Sequence, residues 1–181
     1  MSSQVKPQIL FRRDEIEATV KRLAAEIRED YHGKYPLLIG VLKGSFMFMA
    51  DLIRLLDFPL EVDFIQVSSY GRGRLSSGRV RVVQGLHSEI RGRDVLVVED
   101  IVDTGLTTSF LLDYLRKKKP ASLRLCTLTD KPSRRQVSVS IDYLGFTVPD
   151  RFLVGYGLDW NQKFRNLPDI CVLEDEEPGV V

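Results

Sequence analysis

Apolar residues recur at helical spacing in three segments of this chain. Between Asp14 and Asp30 the spacings are three and four, which predicts an amphipathic helix with Asp14 and Glu17 as a capping box. A second, more apolar helix is predicted from Phe46 to Leu56, and a third from Leu106 onward. Each of the last two follows a short run of aliphatic residues.

Aliphatic runs predict the strands. The runs at 36–42 and 95–98 are continuous, which is typical of strands buried on both faces of a parallel sheet. Less continuous or alternating runs predict further strands at 60–69, 79–84, 122–129 and around 170–173. Because strands and helices alternate, the pattern predicts an α/β protein with a twisted, mostly parallel sheet and right-handed crossovers, flanked by helices.

The domain organisation predicted from this order is simple. A chain of 181 residues suits one domain with a substantial core. The core is expected at about 35–140. The shorter apolar elements from Val137 onward are expected to form a small hood over the carboxyl ends of the strands, at about 141–173 together with N-terminal residues.

Composition narrows the possible functions. The 26 lysines and arginines nearly balance 25 acidic residues, so there is no net positive charge to attract nucleic acid. Cys126 and Cys171 lie in apolar runs and are predicted to be buried thiols, not metal ligands or disulfide partners. The first ten residues lack an apolar signal core, and no stretch approaches the length of a membrane span. We therefore expect a cytoplasmic protein without membrane contact.

The most informative stretch begins with the strand at 95–98. Glu99 and Asp100 follow it directly, and Asp103-Thr104-Gly105 and two more threonines precede the third helix. Ligands of open α/β sheets bind at this edge, outside the carboxyl ends of strands. Backbone amides at the start of a helix favour a phosphate, and glycine allows it to approach closely. The acids suit sugar hydroxyls or Mg²⁺. They could instead be helix caps, but a cap needs one carboxylate, and here three lie within five residues.

Two other segments carry candidate chemistry. Lys43-Gly44-Ser45 follows the strand at 36–42 and is a plausible diphosphate site, although Lys43 could also be a solvated loop residue. The segment 70–78 is rich in glycine and serine and contains two arginines. It is either a solvated hairpin tip or a lid that closes over an anionic substrate, and the arginines favour the lid.

The stretch VVEDIVDTGLTT (97–108) resembles the phosphoribosyl pyrophosphate (PRPP) binding motif of type I phosphoribosyltransferases. The segments LTDKPSRR (128–135) and DYLGFTVPDRFLVGYGLDWNQKFRNLPDICVL (142–173) are similar to the purine-binding hood of hypoxanthine–guanine phosphoribosyltransferases. LKGS (42–45) and VDFIQVSSYG (62–71) match the same family. The similarity runs in register from about residue 35 to 173.

This resemblance implies the type I phosphoribosyltransferase fold and a purine salvage activity. The implied reaction is a Mg²⁺-dependent transfer of the 5-phosphoribosyl group from PRPP to N9 of hypoxanthine or guanine, which gives IMP or GMP and pyrophosphate. The resemblance also implies a homodimer or homotetramer. Asp103 is the candidate general acid/base at purine N7.

The resemblance further assigns residues to each part of the site. The PRPP ribose and phosphate are expected to bind Glu99, Asp100, Asp103, Thr104, Gly105, Leu106 and Thr107. Pyrophosphate is expected to bind Lys43, Gly44 and Arg165. Members of this family commonly have a cis peptide at this turn, and whether the Lys43–Gly44 peptide is cis in this chain is not predicted. Ser69 and Tyr70 are expected to begin the lid. The purine is expected to bind Lys131, Phe152, Leu153 and Asp159. The implied Mg²⁺ ligands are Glu99, Asp100 and Asp159.

Two positions depart from some family members. Leu106 and Ser68 stand where some members carry lysine, so phosphate binding is expected to depend more on backbone amides.

Two other functions stay open. One alternative is an RNA-binding regulator of pyrimidine genes, for which the basic run at 116–119 is the candidate face. The other is a uracil or xanthine phosphoribosyltransferase. The preference among hypoxanthine, guanine and xanthine is not predicted.

Overall fold

The computed structural model describes residues 6–70 and 79–173. The strands are β1 (Pro7–Phe11), β2 (Leu37–Leu42), β3 (Glu61–Tyr70), β4 (Arg79–Gln84), β5 (Asp94–Val102), β6 (Ser122–Asp130), β7 (Tyr143–Thr147), β8 (Phe152–Val154) and β9 (Ile170–Leu173). The helices are α1 (Arg13–Asp30), α2 (Phe46–Ile53) and α3 (Leu106–Arg116), with one 3₁₀ turn at Pro132–Arg134. Within 6–70 and 79–173, no helix has the length and apolar character needed to cross a membrane.

The central sheet has six strands in the order β4-β3-β2-β5-β6-β7. All neighbouring pairs are parallel except β3 and β4. A separate antiparallel sheet has the order β1-β9-β8. The α/β class and the mostly parallel sheet are confirmed. The strand at 143–147 belongs to the central sheet, although the sequence analysis assigned the residues from about 141 to the hood.

The core lies on both faces of the central sheet. On β5, Leu96 and Val98 pack toward α1 and α2, whereas Val95 and Val97 pack toward α3. All four side chains are fully buried. Because each face of β5 is covered, no position in the run can be polar, and this explains the continuous aliphatic sequence.

Helix α1 begins one residue earlier than predicted, and its capping box is not the predicted one. The carboxylate of Glu15 accepts a hydrogen bond from the Arg12 amide at 2.8 Å. Glu17, the predicted partner of Asp14, forms an ion pair with the Arg13 side chain at 2.8 Å. The prediction was wrong by two residues because several acids lie in this turn and spacing alone does not distinguish them.

Asp63 connects β3 to the segment that precedes β5. Its carboxylate accepts hydrogen bonds from the backbone amides of Phe64, His87 and Ser88, at 2.7, 2.8 and 2.8 Å. Burial by itself raises the pKa of Asp63, but these donors outweigh it and hold the pKa below the ordinary value of 3.8. A carboxyl group whose pKa is lower in the folded state stabilises the fold at pH values above its unfolded pKa.

We therefore expect Asp63→Asn to lower the free energy of unfolding at pH 7 by about 1–3 kcal/mol. Since the folded pKa lies below 3.8, the difference from wild type should shrink as the pH falls through and below that value. Urea unfolding between pH 7 and pH 3 measures it. The control is Asp57→Asn, because that side chain is exposed and lies 3.7 Å from Arg28. A difference that stays constant in acid would contradict the assignment.

Candidate active site

The carboxyl ends of the central strands meet at one edge of the sheet. Leu42 ends β2, and Val102 and Asp130 lie opposite each other at the ends of β5 and β6. The turn after β2, the acidic loop after β5 and Lys131 after β6 therefore come together. Fold topology alone brings these distant sequence segments to one place.

A cavity of about 750 Å³ lies at this edge. It is lined by the predicted residues Lys43, Gly44, Asp100, Asp103, Lys131, Phe152, Leu153, Asp159 and Arg165. An adjoining cavity of about 250 Å³ is lined by Glu99, Asp100, Asp103, Thr104, Gly105 and Thr107. Asp100, Ile101 and Asp103 line both cavities. Leu106 begins α3 and lines neither of them.

The turn after β2 packs directly against the acidic end of β5. A Cβ atom on Gly44 would lie only 1.7 Å from Oδ2 of Asp100, so no other residue fits here without movement of that carboxylate. The backbone at this turn contains a cis peptide between Leu42 and Lys43. The cis bond therefore lies one peptide before the Lys43–Gly44 bond, for which the sequence left the isomer open.

This contact allows a direct test. We expect Gly44→Ala to displace the Asp100 carboxylate and to lower kcat/KM for PRPP, the substrate expected from the sequence, by at least about tenfold, because small misplacements in a site are costly. Steady-state kinetics, with Tm as a check on folding, measures the effect. The control is Gly85→Ala, because a Cβ there meets nothing closer than 3.9 Å. Equal kinetics for the two variants would contradict the role of the contact.

Glu99 and Asp100 form a buried acidic pair at the end of β5. Burial raises the pKa of Glu99 well above its ordinary value of 4.5, and the neighbouring Asp100 carboxylate raises it further. Burial also raises the pKa of Asp100, although a hydrogen bond with the Glu99 side chain opposes part of this effect. A cation at this position would favour the ionised forms of both acids.

The donor set fits the way in which proteins hold Mg²⁺ with a phosphorylated substrate. Within the described ranges, no group of three or more His, Cys, Asp or Glu side chains forms a ready metal cage. Mg²⁺ is commonly bound by one or two carboxylates together with substrate phosphates. Asp100 and Asp159 both line the larger cavity, whereas Glu99 lines only the smaller one. Asp100 and Asp159 are therefore the two predicted metal ligands that face the same cavity.

The loop between β5 and α3, which the sequence analysis expects to bind phosphate, is tightly packed against the segment after β6. Gly105 has a φ of +83°, and a Cβ there would lie 2.4 Å from the Val137 carbonyl oxygen. The carbonyl oxygen of Thr104 accepts hydrogen bonds from the amides of Gln136 and Val137, at 2.9 and 3.2 Å. The segment after β6 therefore braces this loop. Glycine is required at position 105 both for its backbone conformation and for space.

Lys131 is buried, which excludes the solvated role that a lone lysine usually has. Only 4% of its surface is exposed, and its Nζ donates a hydrogen bond to the Arg151 carbonyl at 2.8 Å. An ammonium group carries three hydrogens, so further donors are available to a ligand. Phe152, in contrast, is 50% exposed although it is a large apolar residue. Both line the larger cavity, which therefore combines a flat apolar face with a buried cationic donor.

Arg165 fixes the loop that follows β8. Its guanidinium donates to the Gly157 carbonyl at 2.7 Å and pairs with the Asp159 carboxylate at 2.6 Å. Asp159 also accepts a hydrogen bond from the Gln162 amide at 2.7 Å. The predicted pyrophosphate residue and the predicted metal ligand are therefore direct partners of each other.

Some parts of the site were not predicted, and one lies outside the described residues. Arg134, Asp150, Arg151, Ile101 and Leu158 also line the larger cavity. Arg134 belongs to the family-like segment LTDKPSRR, but nothing in its local pattern distinguishes it from Arg135. Ser69 and Tyr70 end β3, and most of the predicted lid, residues 71–78, lies outside the described residues.

Known proteins resemble this chain over most of its length. Residues 9–161 match the model of the phosphoribosyl transferase domain family. The hypoxanthine-guanine phosphoribosyltransferase of Bacillus subtilis is 48% identical over 167 residues, which are 92% of this chain and 93% of that protein. The chain belongs to the hypoxanthine-guanine phosphoribosyltransferase family. A member of this family from Aquifex aeolicus is 48% identical over 94% of this chain and 96% of its own.

Solved structures of the family agree with the fold. A crystal structure of a hypoxanthine-guanine phosphoribosyltransferase from Bacillus anthracis has a TM-score of 0.89 and 44% identity, and covers 94% of this chain and 100% of that one. Family members also occur inside longer proteins. The bifunctional TilS/HprT protein of Listeria innocua is 46% identical over 169 residues, which are 93% of this chain and 26% of that protein. The chain thus spans about a quarter of that relative's length.

Proposed function

We propose that this protein is a purine salvage transferase that moves the 5-phosphoribosyl group of PRPP to N9 of hypoxanthine or guanine. The products are IMP or GMP and pyrophosphate. The observation that carries the proposal is that buried Lys131, exposed Phe152 and Asp103 line one cavity. That arrangement matches a flat base with an oxygen acceptor at position 6 and a titrating nitrogen at position 7.

The cavities divide the substrates between them. The smaller cavity, with the 103–107 loop, holds the 5′-phosphate, and the carboxylates of Glu99 and Asp100 accept hydrogen bonds from the ribose hydroxyls. The turn at Lys43 and Gly44 holds pyrophosphate together with Arg165. The supporting observation is that Asp100 and Asp103 line both cavities, since the reacting anomeric carbon must lie between the base and the phosphates.

The base binds in the larger cavity. Phe152 stacks on the purine ring. Lys131 donates to O6, which selects 6-oxopurines because an ammonium group cannot accept a hydrogen bond from the amino group of adenine. The backbone of Leu153 and Asp159 lies along the edge of the base. The supporting geometry is the 2.8 Å bond from Lys131 to Arg151, which fixes the amine at the cavity wall.

In the reaction, N9 forms a bond to the anomeric carbon while the bond from that carbon to pyrophosphate breaks, with inversion. The transition state resembles an oxocarbenium ion. Asp103 takes the proton from N7 as the base becomes a nucleophile, and returns a proton there in the reverse direction. When bound, Mg²⁺ offsets the charge of the leaving pyrophosphate. Glu99, Asp100 and Asp159 are its proposed ligands. A lid that begins at Ser69 and Tyr70 keeps water away from the cation.

The proposed setting is the cytoplasm, as a homodimer or homotetramer. Cys126 and Cys171 are both free and buried, in keeping with a reducing compartment. The proposed partners are PRPP, hypoxanthine and guanine, with IMP, GMP and pyrophosphate as products, and no nucleic acid. In the basic run that RNA binding would need, Arg116 pairs with Asp113 at 2.8 Å and Lys118 lies over the Tyr114 ring. Both side chains therefore have partners on α3 itself.

The test of this function is pyrophosphate release with PRPP and Mg²⁺ in the presence of hypoxanthine, guanine, xanthine, adenine or uracil. We expect turnover with hypoxanthine or guanine and little with adenine. The proposal would be refuted if only uracil supported turnover, or if none of the five bases did. Omission of Mg²⁺ should abolish turnover, and titration of the metal in the presence of PRPP should show joint binding.

A further inference from the structure

Arg134 lies beside the proposed acid/base. Its Nε is 3.5 Å from Oδ1 of Asp103, and its Nη1 is 3.7 Å from Oδ1 of Asp150. Both distances suit ion pairs and exceed the usual range for an N–H···O hydrogen bond. The guanidinium therefore bridges two carboxylates that come from the loop after β5 and the loop after β7.

Asp103 needs such a partner. Its Oδ1 is buried and, among the described residues, accepts no hydrogen bond. The side chain as a whole is 39% exposed, so its exposed surface lies on the other atoms, including Oδ2. A carboxylate with one buried oxygen next to a cation is oriented, and the other oxygen is left for a ligand in the cavity.

The backbone around Arg134 is fixed by its neighbours. The Arg135 guanidinium pairs with Asp130 and donates to the Val102 carbonyl at 3.3 Å. The Arg135 amide donates to the Pro132 carbonyl at 3.1 Å, which closes the 3₁₀ turn. The two adjacent arginines thus have different tasks: Arg135 ties the turn to β5 and β6, and Arg134 points to the carboxylates at the cavity.

We propose that Arg134 is a positioning residue for Asp103. Its guanidinium holds Oδ1 so that Oδ2 faces purine N7, and Asp150 holds the guanidinium from the opposite side. This inference rests on the proposed function, because it assigns a partner to the acid/base of that reaction. Arg134 itself lines the larger cavity, and the role proposed for it is to orient Asp103.

The experiment is a double-mutant cycle with Arg134→Met and Asp103→Asn, measured by steady-state kinetics with hypoxanthine and PRPP. We expect Arg134→Met to lower kcat by about 10- to 100-fold, with both KM values within about threefold of wild type. Arg134→Lys should recover part of the loss, since it restores the charge. In the Asp103→Asn background, Arg134→Met should change kcat by less than about twofold, because its target is already gone.

The matched control is Arg28→Met. Arg28 lies 3.7 Å from Asp57 and is 43% exposed, close to the 41% of Arg134, but it lies outside both cavities. Its kcat should equal that of wild type. Arg134→Gln provides a second neutral variant in case Arg134→Met lowers Tm.

Three results would overturn the proposal. They are an unchanged kcat for Arg134→Met, a loss confined to KM, or an equal loss of kcat in both Asp103 backgrounds. In each of these cases the proposed function still stands if the wild-type protein is active with hypoxanthine. A wild type that is inactive with every base refutes the proposed function itself, and Asp103→Asn with wild-type kcat refutes both the acid/base role and this one.

Discussion

Replacement of Asp103 by asparagine is expected to lower kcat with hypoxanthine by about 10²- to 10⁴-fold. The side chains have nearly the same shape, so Asp103→Asn removes the group that we propose takes the proton from N7 and leaves the cavity filled. KM for PRPP should change much less, because the 5′-phosphate loop and the pyrophosphate turn are untouched. Pre-steady-state and steady-state rates in both reaction directions measure the effect, since the same group serves as base in one and acid in the other.

The matched control for this variant is Asp113→Asn. Asp113 lies on α3, with an exposed side chain that pairs with Arg116 at 2.8 Å. Its substitution should leave kcat unchanged, as expected for a surface ion pair. If Asp103→Asn were slowed no more than Asp113→Asn, a different group would have to carry the proton.

The fold was largely predictable because its core follows from a simple pattern. A run of four buried aliphatic residues, Val95 to Val98, identifies a strand that is covered on both faces. The boundary of that strand was less predictable. β5 continues to Val102 and includes both Glu99 and Asp100, which a pattern of hydrophobic residues assigns to the following turn. Both acids are buried within the strand, so hydrophobicity alone does not predict where the strand ends.

Other features depend on tertiary contacts that one sequence does not encode locally. The shorter apolar elements from Val137 onward were predicted to form the hood, but Tyr143–Thr147 is a strand of the central sheet and pairs with β6. Nothing in the local pattern distinguishes an edge strand of the core from a hood strand. The pairing of Arg134 with Asp103 is similarly invisible, because it depends on how the turn after β6 meets the loop after β5.

Resemblance and chemistry contribute different parts of the candidate site. The stretch 97–108 carries its own physical argument, since acids and a glycine between a buried strand and a helix indicate a phosphate and hydroxyl site. Lys131 and Phe152 carry no such argument in the sequence. Their burial and exposure are the reverse of what each residue type usually shows, and this becomes visible only in the structure.

The burial of Lys131 leads to the second prediction with a large expected effect, a change in base preference. We expect Lys131→Met to lower kcat/KM for hypoxanthine by about 10- to 200-fold, which corresponds to the loss of a charged hydrogen bond of about 1.5–3 kcal/mol. Turnover of adenine should fall less or rise, because the donor that opposes its amino group is removed. The ratio of kcat/KM for hypoxanthine to that for adenine is therefore the decisive measurement.

The control for this variant is Lys34→Met. Lys34 is exposed and lies over the Tyr31 ring, at 5.3 Å from Nζ to the ring centre, away from both cavities. It should change neither rate nor base preference. Lys131→Met also leaves the Arg151 carbonyl without its 2.8 Å donor, so a lower Tm is expected as well. A loss of activity that is equal for both bases would show that Lys131 supports the cavity wall and does not select the base.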